Sequence, residues 1–337
     1  MKLSRFPRLH FAHLPTPLEP MPRLTETLGG PQLWIKRDDC TGLAGGGNKT
    51  RKLEFLIGQA LADGADTIIT QGATQSNHAR QTAAIAAKCG LRCELLLEDR
   101  VGTEDPDYNY NGNVLLDHIF GANLHYFAAG TEMNQAMADM AEQLAQRGHK
   151  CYIVPGGGSN PTGALGYVNA ALELAQQAND LGLNIDCLVH ATGSAGTQAG
   201  LVAGMVGART GIPVLGIGVR APDAVQHANV LKLANATTAF MGLGEIIDAQ
   251  DVQVNCAYVG SGYGLSTTES IEAIDLLAKT EGILLDPVYS AKGMAGLIDL
   301  VRKGSWGKDQ HLVFLHTGGS QALFAYRQEF DVPDYRA

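Results

Sequence analysis

Long apolar runs are missing from this sequence. No stretch approaches the ~20 residues a helix needs to span a bilayer, and Lys2 and Arg5 are not followed by an apolar segment. A cytoplasmic protein is therefore expected. Basic charge is also scarce: 25 Lys and Arg against 34 Asp and Glu leave a formal charge of −9, which argues against nucleic acid or an anionic membrane as partner. The six cysteines, Cys40, Cys89, Cys93, Cys151, Cys187 and Cys256, form no C-x-x-C pair and have no histidines at metal-ligand spacing. They read as small buried residues in a reducing compartment, and no metal is expected. A G-x-S-x-G elbow is absent, and so are internal repeats.

Glycine, by contrast, is plentiful. The 41 glycines fall in short clusters, which suggests loops lined by backbone rather than low complexity. With 337 residues, 45% hydrophobic and 18% charged, the chain is long enough for two globular domains.

One cluster stands out: Gly45-Gly46-Gly47-Asn48-Lys49-Thr50-Arg51-Lys52. The glycines permit turns closed to other residues, and the apolar spacing of Leu53, Phe55, Leu56 and Leu61 predicts an amphipathic helix. Lys49 would sit at its N-terminus, where the helix dipole disfavours a cation by a few tenths of a kcal/mol, up to about 1. The same field would lower the lysine's pKa and favour the neutral amine, which attacks carbonyls. Three readings stand side by side. Gly42, Gly47, Lys49 and Thr50 nearly spell a P-loop, but Asn48 separates the lysine from the last glycine. A Schiff-base lysine holding pyridoxal phosphate is the second reading, and an ordinary glycine-rich turn is the third.

The flanking pattern is regular. After a proline-rich lead-in over residues 1–32, a strand is predicted at Leu33 to Arg37. Further strands fall at 67–70, 93–97, 124–127 and 151–154, and helices at 77–88, 111–120 and 133–147. A second set follows, with strands at 187–191, 214–219 and 312–316 and helices near 164–177, 195–208, 268–279 and 291–302. Such alternation implies α/β architecture, with two open, twisted, mostly parallel sheets flanked by helices. Pro155 to Pro161 is the hinge candidate between the sets.

In such sheets ligands bind beyond the strands' C-terminal ends. Gln71-Gly72-Ala73-Thr74-Gln75-Ser76-Asn77-His78 opens a helix and would offer free N–H groups to a carboxylate, although Ser76 or Asn77 as a plain helix cap is the commoner case. Thr192-Gly193-Ser194-Ala195-Gly196-Thr197 opens another and suits a phosphate held by amides and hydroxyls, with no lysine or arginine inside it. His78 and His316 lie near these loops, where structural histidines are the usual finding, and Tyr263 and Tyr289 sit on loops where surface packing is common.

Six blocks, 45–56, 75–84, 156–167, 192–200, 281–297 and 316–319, together resemble the fold type II (tryptophan synthase β-like) pyridoxal-phosphate enzymes. Within them they resemble the branch of 1-aminocyclopropane-1-carboxylate deaminase and D-cysteine desulfhydrase, over nearly the whole chain. The resemblance implies a pyridoxal 5′-phosphate cofactor attached at Lys49, hydrogen-bonded by Asn77 and held at its phosphate by Gly193, Ser194, Ala195, Gly196 and Thr197. It implies that Ser76, with Gln75 and His78, lies where the substrate carboxylate binds, and that Tyr263 and Tyr289 are the active-site tyrosines. Thr317 matches the position facing the pyridine nitrogen; the deaminase instead has a Glu where this chain has Ser290, so cyclopropane opening is not expected. It further implies a large cofactor-binding domain of residues 1–47 and 160–337, a small domain of 48–159, a homodimer and a small anionic amino-acid substrate. The stretches Trp34 to Leu43, Thr70 to Arg80 and Gly216 to Pro222 look more like L-cysteate sulfo-lyase than the desulfhydrase. On that likeness the reaction is carbon–sulfur elimination from L-cysteate, with D-cysteine as the alternative, and Gln71, Thr74 and Arg220 would meet the sulfonate. A non-catalytic nucleotide- or amino-acid-binding protein is the rival from another class.

Overall fold

The computed structural model describes residues 1–330. Residues 331–337, counted above in the large domain, lie outside that range. In chain order the first elements are β1 (Leu18–Pro20), α1 (Pro22–Leu28), β2 (Gln32–Arg37) and α2 (Lys49–Ala62). Then come β3 (Thr67–Ala73), α3 (Asn77–Cys89), β4 (Arg92–Asp99), α4 (Pro106–Tyr110), α5 (Gly112–Ile119), β5 (Asn123–Ala128), α6 (Met133–Ala145) and β6 (Cys151–Val154). The chain continues through α7 (Pro161–Leu181), β7 (Cys187–Thr192), α8 (Gly196–Gly207), β8 (Val214–Gly218) and α9 (Asp223–Phe240). It closes with β9 (Gln253–Asn255), α10 (Thr268–Glu281), α11 (Ser290–Arg302) and β10 (His311–His316).

Two sheets result. The smaller, in the order β5-β4-β3-β6, is parallel throughout and drawn only from residues 67–154. The larger runs β1-β2-β10-β7-β8-β9, parallel except for the β1–β2 pair. Parallel strands need both faces covered, and Cys93 to Leu97 and Cys187 to Thr192 are accordingly buried without alternation. Helices α1, α10 and α11 contribute to one core cluster with the larger sheet, and α7, α8 and α9 to another. Leu53, Leu56, Ile57 and Ala60 of α2 join the core of the smaller sheet, whereas Phe55 packs with Leu165, Val168 and Ala203 beside the larger one. The helix that begins at Lys49 is thus shared between the two halves.

Four elements were not expected: β1, β9, α9 and the one-turn α4. β1 and β9 are three residues each, too short to leave a pattern. Helix α9 is long, but its apolar residues, among them Val225, Val230, Leu231 and Leu233, are spread around the cylinder rather than gathered in a stripe. The helix expected over 111–120 is α5, with extended Asn111 (φ −116°, ψ −172°) as its cap and as the break that separates it from α4. The cysteines also differ from expectation. All six are free thiols, but Cys89 and Cys151 are only partly buried and Cys40 is exposed.

Beneath α2 lies a buried ionic cluster. Arg51 donates to both oxygens of Asp38 (2.8 and 2.8 Å) and to both of Glu173 (2.9 and 3.0 Å). Tyr167 donates to Asp38 at 2.6 Å, and Lys36 donates to Glu173 at 2.5 Å and to the Thr16 carbonyl at 2.6 Å. These groups join α2 to β2 and α7. Burial alone would raise the pKa values of Asp38 and Glu173, but the Arg51 guanidinium outweighs it and holds both carboxyls below their usual range. Because the folded pKa values are depressed, the stability they contribute is complete above ordinary carboxylate pKa values and is lost as pH falls through the folded ones. Arg51→Met removes the guanidinium from buried Asp38, while Glu173 keeps Lys36, and should cost about 3–5 kcal/mol, read as a lower denaturation midpoint at pH 7. An unchanged midpoint would remove this cluster from the account.

Candidate active site

The glycine turn presents Lys49 but makes no phosphate cradle. Its amides are consumed by protein acceptors: Gly46 N–H by the Leu43 carbonyl, Gly47 by Thr41 Oγ1, Asn48 by the Thr317 carbonyl and Thr50 by Gln81 Oε1. A P-loop needs those N–H groups free, so that reading falls. Gly47 (φ +135°) is required by crowding as well, since a Cβ there would lie 2.5 Å from Gln81 Nε2 and 3.0 Å from Asn77 Oδ1. Burial lowers the Lys49 pKa to about 8 against the opposing pull of Asp286, so desolvation replaces the helix dipole as the cause. Asp286 is itself buried and caps α11, accepting from the amides of Val288, Tyr289 and Ser290 at 2.8–2.9 Å and from Ser290 Oγ at 2.5 Å. That bond occupies the Ser290 hydroxyl.

Lys49 opens onto a small chamber lined also by Asn48, Asn77, Gly193, Ser194, Ala195, Thr197, Tyr289 and Thr317. Gly196, between lining residues Ala195 and Thr197, is the first residue of α8 and is absent from the lining. The expected attachment, phosphate and ring residues are thus gathered around one space. Asn77 Oδ1 accepts from Arg80 and Gln81, both at 2.6 Å, which turns its Nδ2 toward Asn48 Oδ1 (3.4 Å) and the Thr317 carbonyl (3.5 Å).

Lys52, which the sequence did not flag, supplies the cation missing from the 193–197 loop. It stands one turn after Lys49 on the same helix face, and a Cβ on Gly196 would come within 2.9 Å of its Nζ and 2.5 Å of Ser159 Oγ. Its ammonium is fully buried and donates to the Gly157 carbonyl at 3.0 Å, with no carboxylate bonded to it among the described residues. Burial, then Lys49, pushes its pKa well down, so an anion here would restore the charge. Ala195 holds φ +67°, a strained conformation for a residue with a side chain, at the point where the loop enters α8. A buried lysine without a carboxylate, a strained loop, a helix N-terminus and the Lys49 amine match the phosphate and aldehyde ends of pyridoxal phosphate.

The chamber adjoins a cleft of about 1110 Å³ with which it shares Lys49, the loop 193–195 and Tyr289. Gln71, Ser76, His78, Arg220 and Tyr263 line the cleft, along with Glu98, Arg100 and residues of α9 that the sequence had not marked. Ser76 is also the cap of α3, accepting from Ala79 N–H at 3.1 Å. Thr74 and Gln75 are buried and absent from the lining. The Gln75 amide is spent on the Tyr108 and Asn111 carbonyls (2.6 and 3.0 Å) and the Asn113 amide (2.9 Å), so it braces α4 and α5. Gln71 donates to Asn134 at 2.7 Å. His78 stays neutral because burial, then Lys49 and Lys52, pushes its pKa far down. Thr70 gives its hydroxyl proton to the Val154 carbonyl, so His78 Nε2 donates to Thr70 at 2.8 Å. His316 is structural, donating from Nε2 to the Leu284 carbonyl at 2.8 Å.

Tyr263 and Tyr289 meet edge to face at 5.4 Å, and the Arg100 guanidinium lies 5.1 Å from the Tyr263 ring centre. Burial raises Tyr289 to about 12 in spite of Arg100 and Arg220, so it keeps its proton at neutral pH. The Tyr263 loop is tied to α11 by Lys292, which donates to the Val259 and Gly262 carbonyls at 2.6 and 2.9 Å. Two outcomes follow. In cofactor-free protein, modification of Lys49 by an amine-directed reagent should rise with pH through a midpoint near 8; a midpoint near 10.5 would contradict its burial. Lys52→Met should weaken cofactor retention about 10- to 100-fold, the worth of a charge-assisted hydrogen bond of ~1.5–3 kcal/mol, and equal retention would move the phosphate elsewhere.

Comparison with known proteins agrees with this geometry. A family profile described as pyridoxal-phosphate dependent enzyme matches residues 9–318. A D-cysteine desulfhydrase of Salmonella typhimurium is 45% identical over 324 residues, covering 96% of this chain and 97% of the relative. A crystal structure of a 1-aminocyclopropane-1-carboxylate (ACC) deaminase homologue superposes with TM-score 0.88 at 38% identity, covering 97% of this chain and 96% of that one. A hydrogen sulfide-producing enzyme of Fusobacterium nucleatum shares the fold at 18% identity, with TM-score 0.61 and coverage of 93% of this chain and 97% of its own. The chain therefore belongs to the fold type II pyridoxal-phosphate dependent enzymes, in the group of 1-aminocyclopropane-1-carboxylate deaminase and D-cysteine desulfhydrase.

Proposed function

We propose that this enzyme breaks the Cβ–S bond of a small cysteine-like amino acid, using water to give pyruvate, ammonia and the sulfur leaving group. The observation that carries elimination is that one chamber is lined by both an amine poised near pH 8 (Lys49) and a phenol that holds its proton (Tyr289). Pyridoxal phosphate, when bound, supplies an electron sink for charge developing at Cα. Lys49 takes the α-proton. The N-terminus of α3, with Ser76, orients the carboxylate. Asn77 and Thr317 face the cofactor ring, and Lys52 with Gly193 to Thr197 holds its phosphate. As the sulfur departs with the bonding pair, Tyr289 or Tyr263 protonates a thiolate, and the enamine left behind hydrolyses to pyruvate and ammonia.

D-cysteine, with sulfide released, is the substrate favoured by the 45% identical relative. L-cysteate, with sulfite released, is a second reading favoured by Arg220. This guanidinium lines the cleft with no hydrogen-bond partner among the described residues, beside Arg100, which is paired to Glu98 at 2.5 Å. A sulfonate would give Arg220 three acceptor oxygens, with Gln71 near by. The same reading takes residues 48–159 as a unit that closes on 1–47 and 160–337 about Pro155 to Pro161, in a cytoplasmic homodimer.

Purified enzyme incubated with D-cysteine and with L-cysteate, followed for pyruvate together with sulfide and sulfite, tests the proposal. Sulfide from D-cysteine supports the first substrate and sulfite from L-cysteate the second, while pyruvate without either sulfur product would overturn elimination. Lys49→Ala should abolish turnover. Arg220→Met should lower kcat/KM for L-cysteate at least ~10-fold, the worth of a charge-assisted bond, and leave D-cysteine within about threefold.

A further inference from the structure

Arg80 is fully buried, yet it has no carboxylate in hydrogen-bond reach among the described residues. All four of its terminal bonds go to neutral oxygens: Asn77 Oδ1 and the Gly46 carbonyl at 2.6 Å each, Gln321 Oε1 at 2.6 Å and Asn113 Oδ1 at 2.8 Å. A buried cation is usually paired with an anion, because desolvating a lone charge is costly. The carboxylate whose field acts on it most, Asp117 on α5, is fully buried, and neither of its oxygens has a hydrogen-bond partner; the Arg80 Nε has none either. Burial pushes the Asp117 carboxyl far up despite Arg80, and no hydrogen bond joins the two, so the guanidinium has no bonded counter-ion among the described residues. Arg80 itself falls only to about 10, with Asp117 and Asp286 opposing the effect of burial, so it is charged at neutral pH.

We propose that Arg80 is a positioning residue that acts through Asn77. Its guanidinium, with Gln81, holds the Asn77 oxygen and so aims Nδ2 into the chamber beside Lys49. Its charge polarises that amide and makes the Nδ2 hydrogens stronger donors to an anionic oxygen placed there. The same guanidinium grips the Gly46 carbonyl in the turn that delivers Lys49, fixing amine and amide relative to each other. This inference rests on Asn77 facing the phenolic oxygen of the cofactor. A donor on that oxygen withdraws electron density and lowers the proton affinity of the nitrogen conjugated with it, so loss of the donor's strength raises that affinity.

The test is the pH midpoint of the cofactor's visible absorption in substrate-free holoenzyme, a quantity that a merely structural brace would leave in place. Asn77→Ala should move the midpoint upward, and Arg80→Gln should move it upward by at least ~0.5 unit, about a threefold change in proton affinity. In the Asn77→Ala background Arg80→Gln should add nothing, since its effect passes through the amide. Asp117→Asn should leave the midpoint unmoved. If Arg80→Gln does not fold, Arg80→Lys, which retains charge but cannot span the four acceptors, should give a smaller upward shift. A shift in Asn77→Ala with none in the Arg80 variants would overturn the proposal alone; no shift in Asn77→Ala would overturn the placement of Asn77 on which it rests.

Discussion

Everything in the site depends on where α2 lies, and that is set by one buried guanidinium. Arg51 stands two residues beyond Lys49, on the far side of the helix, clamped between Asp38 from the end of β2 and Glu173 from α7. The helix cannot slide or rotate without breaking bidentate contacts in a medium where each unpaired charge is expensive. With Arg51 held, helical geometry carries Lys49 and Lys52 together onto the opposite face, toward the chamber and the 193–197 loop. Asp38 and Arg51 also bracket the glycine turn in sequence, so one interaction closes the loop that presents the amine.

The site gathers basic side chains with few acids to balance them. Lys49 and Lys52 share one face of α2 with lowered pKa values, Arg80 grips Asn77, and the anion acting on Lys49 is Asp286, whose oxygens are engaged by the α11 amides and Ser290. A phosphate and a phenolic oxygen placed here would draw protons back onto the buried amines, which favours an anionic ligand. The low pKa of the amine follows from burial: desolvation makes the nucleophile available near neutral pH.

Much of the architecture was legible because parallel sheets leave strong marks. Unbroken apolar runs such as Leu312 to Leu315 separated by helical spacing have few interpretations, and the glycine turn before Lys49 flagged the amine directly. What was not legible depended on direction or on distance along the chain. Nothing in the run Thr74-Gln75-Ser76-Asn77 tells which side chains point to the cleft and which brace α4 and α5; composition there is uniform, and tertiary packing sorts it. Lys52 looked like any helical lysine until the 193–197 loop was brought beside it. Arg51 and Glu173 lie 122 residues apart, beyond the reach of any local pattern. Helix α9, which walls the cleft, hid because its apolar residues follow no single face.

The central claim is that Lys49, alone among four buried or partly buried lysines with lowered pKa values, joins the cofactor; Lys36 is bound to Glu173 in the ionic cluster, and Lys52 and Lys292 are committed to carbonyls and to holding neighbouring loops. Borohydride reduction of the holoenzyme followed by peptide mapping reads this directly. The account predicts a pyridoxyl group on Lys49 and none on Lys52 or Lys292. A label on either of those lysines, with Lys49 unmodified, would contradict it.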